Sequence, residues 1–552
     1  MSQYNLRSRG PLKVELGHGP GALTAAGELK PPLGRGASTG PVVETASNER
    51  ESSSTLLSLG DGQLFVVLLT VRLLNAAVVQ TAHVPDEYWQ SMEVAHHMVF
   101  GYGYLTWEWQ AGLRGFTYPL VFAALYKGLA VFRLDSVTLL VLLPRLLQGF
   151  FTALCDLYLF KVTRKLHGEG VAQWTLLCQI LSWFMFYCGP RTLTNSMETV
   201  LTTAALYYYP WPQEASTTGS SKQVVMYLSL AALSCVVRPT AAIMWIPLCM
   251  LHLVNSGSKL HTVTLHFIPV GLGALTWSAV IDRIFYGKWV LVQYNFLEFN
   301  VLSNMGSFYG SHPWHWYISQ GFPVTMATQL IPFIFGSVKF WRKQMLALLV
   351  ILWTVVVYSF LGHKEFRFIM PVVPLAMMSC GLWLHWLTPW LRVTTVVFLL
   401  VTNLPLALYT SLVHQRGTVD VMSFLSQEAD RHGQDMSVLF LMPCHSTPFY
   451  SHVHHNINMR FLECPPDLER RPDYMDEADI FYQDPSAWLK NNHGPDVPLP
   501  THLVMFNTLH LDIEDFLTEK QFSKCAEYFH THITLERRIG NYVQVYCQQQ
   551  AT

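Results

Sequence analysis

Three short polar clusters in this chain hold residue types that can do chemistry, and each borders an apolar run. The first is His83-Val84-Pro85-Asp86-Glu87-Tyr88-Trp89-Gln90. It sets two adjacent carboxylates, Asp86 and Glu87, just past the first apolar run. A carboxylate can take the proton from an acceptor hydroxyl during group transfer. If the leaving group is a phosphate, no general acid is needed, so one base suffices and the reacting centre inverts by direct displacement. Tyr88 and Trp89, beside the acids, are candidates for substrate contact. The same acids after Pro85 also suit the first turn of a helix.

The second cluster is Leu361-Gly362-His363-Lys364-Glu365-Phe366-Arg367-Phe368, which joins two apolar runs. Lys364 and Arg367 can together hold a phosphate, with Arg gripping two oxygens at once, and His363 can add a donor. An interfacial basic anchor has the same composition. The third cluster is Cys188-Gly189-Pro190-Arg191-Thr192-Leu193-Thr194-Asn195-Ser196-Met197-Glu198. Arg191, Asn195 and Glu198 can hydrogen-bond sugar hydroxyls, or cap helix ends. Arg72, Arg145 and Arg238 lie within apolar runs, where they are either functional or snorkel from helix ends. His445, His452, His454 and His455 are irregularly spaced with no acid cluster beside them, so no metal site is expected. No cofactor is expected either.

The elements that must position these clusters are membrane helices. The apolar fraction is 51% and the charged fraction 13%, against about 25% charge in soluble domains. Mean hydropathy is +0.25. The formal net charge of −1 gives a nucleic-acid partner no electrostatic support. Residues 1–60 are rich in Gly, Pro, Ser and Thr and read as a disordered cytosolic tail. The first apolar run, at about 64–79, comes too late for a cleaved signal peptide. Further spans are expected at 137–160, 171–188, 198–211, 224–236, 240–255, 262–285, 316–338, 345–361, 369–387 and 392–413, which makes roughly 9 to 12 in all. Residues 118–132 fit a span or an in-plane helix equally well. Lys161, Arg164 and Lys165 favour a cytosolic turn, which places the loop 83–117 in the lumen if 118–132 does not cross. In that loop Tyr88, Met92, Ala95 and Val99 recur at helical spacing and suit a helix on the membrane surface.

After His414 charge and proline return, and strand-like runs appear at 437–442 and 542–546. This last segment of about 140 residues is long enough for a small α/β domain. It carries Cys444, Cys464, Cys525 and Cys547, an even number that permits disulfides if the segment is lumenal. The expected architecture is thus a polytopic α-helical membrane protein, with 61–413 as the catalytic membrane domain and 414–552 as a C-terminal lumenal α/β domain.

The blocks HVPDEYWQ at 83–90, RTLTNSME at 191–198 and HKEFRF at 363–368 together resemble the dolichol-phosphate-mannose-dependent α-mannosyltransferases, which have the GT-C membrane architecture. The stretch LMPCHSTPFYSHVH at 441–454 and the pieces ECPPDL and DEADIFY resemble the branch of that family acting on the GPI-anchor precursor. The resemblance implies a dolichol-phosphate-mannose donor and transfer of the third mannose, in α1,2 linkage, to that lipid acceptor. It implies the endoplasmic-reticulum membrane as the place and the lumen as the side of the active site. It points to Asp86 as catalytic acid residue first, and Glu87 second. Other readings are a mannosyltransferase acting on the lipid-linked N-glycan precursor, and a lipid transporter or scramblase. Ionisable blocks gathered at helix ends rather than at mid-span favour an enzyme.

Overall fold

The computed structural model describes residues 59–548, except 213–219, 304, 470, 472, 495–496 and 535. The tail assigned to residues 1–60 lies almost wholly outside the described residues.

Among the described residues, six helical runs are long and apolar enough to cross a membrane: Asp61–Val78, Val137–His167, Lys259–Tyr286, Tyr317–Lys339, Phe366–Trp386 and Pro389–Asp435. Four shorter apolar helices join them, at Thr117–Val131, Ser221–Val237, Pro239–Asn255 and Met345–Phe360. The burial pattern inverts that of a soluble protein. Along Ile268–Tyr286 the buried residues are Ser278 and Asp282, while Leu272, Trp277, Val280 and Ile284 are exposed. An exposed apolar surface of this extent needs lipid to cover it.

One helical run is internal. In the apolar 18-residue window of the Phe366–Trp386 run 83% of the residues are buried, against 17% in that of Lys259–Tyr286. Small residues let its neighbours approach: a Cβ on Gly381 would strike Thr175, and one on Gly336 would strike the Ser379 carbonyl. Close backbone approach of this kind holds membrane helices together where the hydrophobic effect cannot. The run expected at 171–188 is broken at Ser182, whose side chain caps the short helix Trp183–Cys188 by accepting from the Met185 N–H. The 198–211 run is the helix Thr194–Tyr208. The helix Thr117–Val131 has 15 residues, short of the roughly 20 that cross a bilayer, and it buries Tyr118, Phe122 and Tyr126 against the other helices. In the loop after the first helix, a π-turn at Tyr88–Met92 leads into the helix Glu93–Phe100, which ends at Gly101 with φ 78°. A left-handed glycine there is the usual helix stop.

The C-terminal part forms a five-stranded mixed sheet. Its strands are β1 (Ser437–Leu441), β2 (Asn458–Phe461), β3 (His502–Phe506), β4 (Phe522–Phe529) and β5 (Tyr542–Gln548), in the order β2-β1-β3-β5-β4. β2, β1 and β3 are parallel, and β5 and β4 add antiparallel. Alternation along β1 sends Val438 and Phe440 to one core and Leu439 and Leu441 to another. Disulfides join Cys444 to Cys464 and Cys525 to Cys547. The first of these cores also takes in Tyr88, Trp89 and Met92 from the loop after the first helix. The sheet domain and that loop therefore share one hydrophobic core.

Candidate active site

A cleft with a cavity of about 330 Å³ lies between the membrane helices and the sheet domain. Asp86, Arg367, Glu365, Arg238 and His445 are among its lining residues.

The turn at Pro85 starts the helical segment, with the Tyr88 and Trp89 N–H groups both donating to the Pro85 carbonyl. Consecutive residues then point in different directions, and the two acids part company. The Asp86 side chain faces the cleft and keeps 25% of its surface exposed. Glu87 is fully enclosed. Its carboxylate accepts from Arg191 at 2.6 Å and Arg145 at 3.4 Å, and its backbone carbonyl accepts from the Thr192 hydroxyl at 2.7 Å. Arg191 also donates to the Thr81 carbonyl and hydroxyl and to the Tyr187 carbonyl. Arg191 thus lies behind the cleft wall as the counter-charge of Glu87. Arg145 does not snorkel: besides Glu87 it donates to the Val79 carbonyl and the Tyr88 hydroxyl. Nor does Arg72, which pairs with buried Asp156 through two hydrogen bonds of 2.6 and 3.0 Å.

On the opposite wall, Arg367 begins the internal run. One terminal nitrogen donates to Asp86 at 2.5 Å, while its Nε and other terminal nitrogen donate to the two Glu365 oxygens, each at 2.7 Å. His363 Nε2 lies 3.0 Å from Glu365. Burial pushes the Glu365 carboxyl up, but the Arg367 charge and the hydrogen bonds from His363 and Arg367 outweigh it and hold the group well below the usual carboxylate range. The Asn195 amide donates to the Arg367 carbonyl at 3.2 Å, so the third sequence cluster braces the second. Glu198 pairs with Arg238 at 3.4 Å, and the Arg238 guanidinium covers the Phe368 ring at 4.6 Å.

Lys364 is turned to backbone. Its ammonium donates to the carbonyls of Leu361 at 2.5 Å and His312 at 2.8 Å, tying off the end of the helix Met345–Phe360. Trp89 donates to the Thr447 carbonyl at 3.1 Å and packs among His445, Phe449 and Phe461. Tyr88 is buried edge-on against His452. Of the sequence candidates, Asp86, Asn195, His363, Lys364, Arg367, Tyr88 and Trp89 line the cleft, whereas Glu87, Arg191 and Glu198 stand behind its wall.

Sequence reasoning did not single out the Glu108–Arg114 pair, at 2.6 Å, or Arg538, paired with Asp479 at 2.8 Å. Both pairs border the cleft, and no local pattern marks them. Among the described residues, Cys444, His445 and Cys464 come together as a group with metal-ligand spacing. The disulfide joins both sulfurs, so no thiolate remains there to bind an ion.

Residues 63–454 match the Alg9-like mannosyltransferase family. The chain is 53% identical over 487 residues to GPI alpha-1,2-mannosyltransferase 3 of Mus musculus, covering 87% of this chain and 88% of the relative. It is 50% identical to the Homo sapiens protein of the same name, covering 88% and 87%, and 43% identical to GPI mannosyltransferase 3 of Drosophila melanogaster, covering 82% and 81%. In fold it is similar to ArnT from Cupriavidus metallidurans bound to undecaprenyl phosphate, with a TM-score of 0.55 at 14% identity over 90% of this chain and 99% of that one. A cleft that joins a carboxylate to an arginine at the end of membrane helices, on a GT-C fold and with relatives this similar over nearly their whole length, leaves one conclusion. The chain belongs to the Alg9-like mannosyltransferase family and is a multi-pass membrane mannosyltransferase.

Proposed function

We propose that this enzyme adds the third mannose, in α1,2 linkage, to a GPI-anchor precursor, with dolichol-phosphate-mannose as donor, at the lumenal face of the endoplasmic-reticulum membrane. The names of its close relatives support the acceptor and linkage. The observation that carries the mechanism is the contact between Asp86 and Arg367 in the cleft.

Asp86 takes the proton from the 2-hydroxyl of the acceptor mannose as that oxygen attacks the donor's anomeric carbon. The bond from this carbon to the phosphate oxygen breaks, and dolichyl phosphate leaves with the electron pair. Attack and departure on opposite faces invert the centre. Of the five N–H donors of Arg367, three are engaged by Asp86 and Glu365 among the described residues. Two remain for a phosphate oxygen, with the rigid fork already oriented. Lys364 and His363 hold the loop that presents this fork. Preorganised charge of this kind stabilises a developing dianion without reorganisation during the reaction.

The sidedness has geometric support. Lys161 and Arg164 pair with Asp61 at the start of the first helix, and Asp86 follows the other end of that helix. Under the positive-inside rule a basic turn there supports a cleft on the opposite, lumenal face, with the sheet domain beside it. In sealed microsomes, external protease should spare a tag at the C-terminus; cleavage there overturns the sidedness.

Purified protein given the donor and a GPI precursor bearing two mannoses should yield a product one mannose longer that α1,2-mannosidase trims back. Transfer to the lipid-linked N-glycan precursor in place of this acceptor would sink the assignment.

A further inference from the structure

The α/β domain brings one group to the cleft that the proton-transfer scheme does not use. His445 follows β1, in the loop 443–446, and lines the same cavity as Asp86. Its φ is +60°, a left-handed backbone that is costly for a residue with a Cβ and persists only where the surroundings impose it. The adjoining Cys444 is anchored to Cys464, and the Ser446 N–H closes the turn onto the Pro443 carbonyl. The imidazole packs against both Trp89 and Phe461, with ring centroids 4.9 and 5.1 Å away.

Neither ring nitrogen has a hydrogen-bond partner among the described residues. Burial pushes the imidazole down to about 4, against the opposing pull of the Asp86 charge, so the ring is neutral near pH 7. A neutral imidazole offers one donor and one acceptor. The residue is partly exposed to the cleft, so a sugar hydroxyl there can pair with either nitrogen. The position also selects which sugar. Arg367 approaches Asp86 from the membrane helices, where the donor phosphate is proposed to lie. His445 comes from the α/β domain, whose Thr418, Asp479 and Arg538 also line the cleft and are polar groups suited to a glycan.

We propose that His445 binds the acceptor glycan, one ring nitrogen hydrogen-bonding a hydroxyl of the terminal acceptor mannose and so turning its reacting hydroxyl toward Asp86. This rests on the mannosyl-transfer reading above. It gives the α/β domain a part in acceptor recognition, with the Cys444–Cys464 disulfide as the support of the binding loop.

The test titrates donor and acceptor separately with purified full-length His445→Ala, His445→Gln and His445→Asn. Thermal unfolding and peptide mapping of Cys444–Cys464 confirm the fold. His445→Ala should raise acceptor KM about fivefold or more, the scale of one hydrogen bond, with donor KM within about twofold of wild type. His445→Gln and His445→Asn place an amide near Nε2 and Nδ1 respectively, so one of them should recover acceptor KM better than the other. If His445→Ala does not fold, that difference between the two amides decides in favour. Folded variants with wild-type acceptor KM, or with only donor KM raised, overturn the inference. Wild-type protein that fails to extend the GPI precursor sinks the functional reading itself, whatever the variants do.

Discussion

Arg367 reaches across 281 residues of sequence to place its guanidinium 2.5 Å from the Asp86 carboxylate. The same fork grips Glu365, so the proposed base and the proposed phosphate-binding cation form one hydrogen-bonded unit. Asp86 is therefore held in one rotamer before substrate arrives, which lowers the ordering that the transition state must supply.

Asp86→Asn should cost about 10²-fold or more in turnover, the usual scale for loss of a general base. The amide oxygen can still accept from Arg367, so donor and acceptor KM should change little. Single-turnover mannose transfer by the folded variant is the measurement. A nearly active variant would remove Asp86 from the proton transfer.

Arg367→Lys keeps one positive charge and loses the fork. An ammonium cannot serve Asp86, both Glu365 oxygens and a phosphate in the same plane. Donor KM should rise and turnover fall, by about tenfold in kcat/KM if one charge-assisted hydrogen bond is lost. Unchanged donor kinetics in folded protein would separate Arg367 from the phosphate.

Glu87→Gln should act on folding. Its carboxylate neutralises Arg191 and Arg145 in a site that solvent does not reach. Removing one partner of such a buried network costs about 3–5 kcal/mol, so yield and melting temperature in detergent should drop. Normal thermal stability together with lost turnover would instead make Glu87 part of the chemistry.

Glu93 offers a pH test of the junction between loop and sheet domain. Its carboxylate accepts from the Phe449 N–H at 2.8 Å and from the Ser451 hydroxyl and N–H. Burial pushes its carboxyl up to about 7, although these hydrogen bonds oppose it. A carboxyl raised in the folded state binds its proton more tightly there than when unfolded. Its contribution to stability is therefore full below about 4.5 and fades as pH rises through about 7. Melting temperatures of wild type and Glu93→Gln across this interval should show wild type losing ground as pH rises. A constant difference would place the Glu93 titration outside this window.

The amino-acid sequence by itself determined the membrane character, most helical runs and the strands at 437–442 and 542–546. Apolar length and periodicity are local properties, and lipid leaves the backbone little choice but helix. It also marked the polar blocks, because ionisable residues cannot sit in apolar runs without a reason. What faces what was decided by tertiary structure. Helical geometry separates Asp86 from Glu87, but which of the two meets the cleft depends on Arg145 and Arg191, placed 58 and 104 residues away. Lys364 has the charge to grip a phosphate, and only the fold turns it to the carbonyls of Leu361 and His312. Even parity of four cysteines allowed pairing without choosing the pairs, and β1 and β2, which bring the loops carrying Cys444 and Cys464 together, chose one of them. His445 looked like part of an irregular histidine run until the loop beside that disulfide set it in the cleft. Buried charges take whichever counter-charge the packing brings within reach, and that depends on contacts between distant segments that no local pattern encodes.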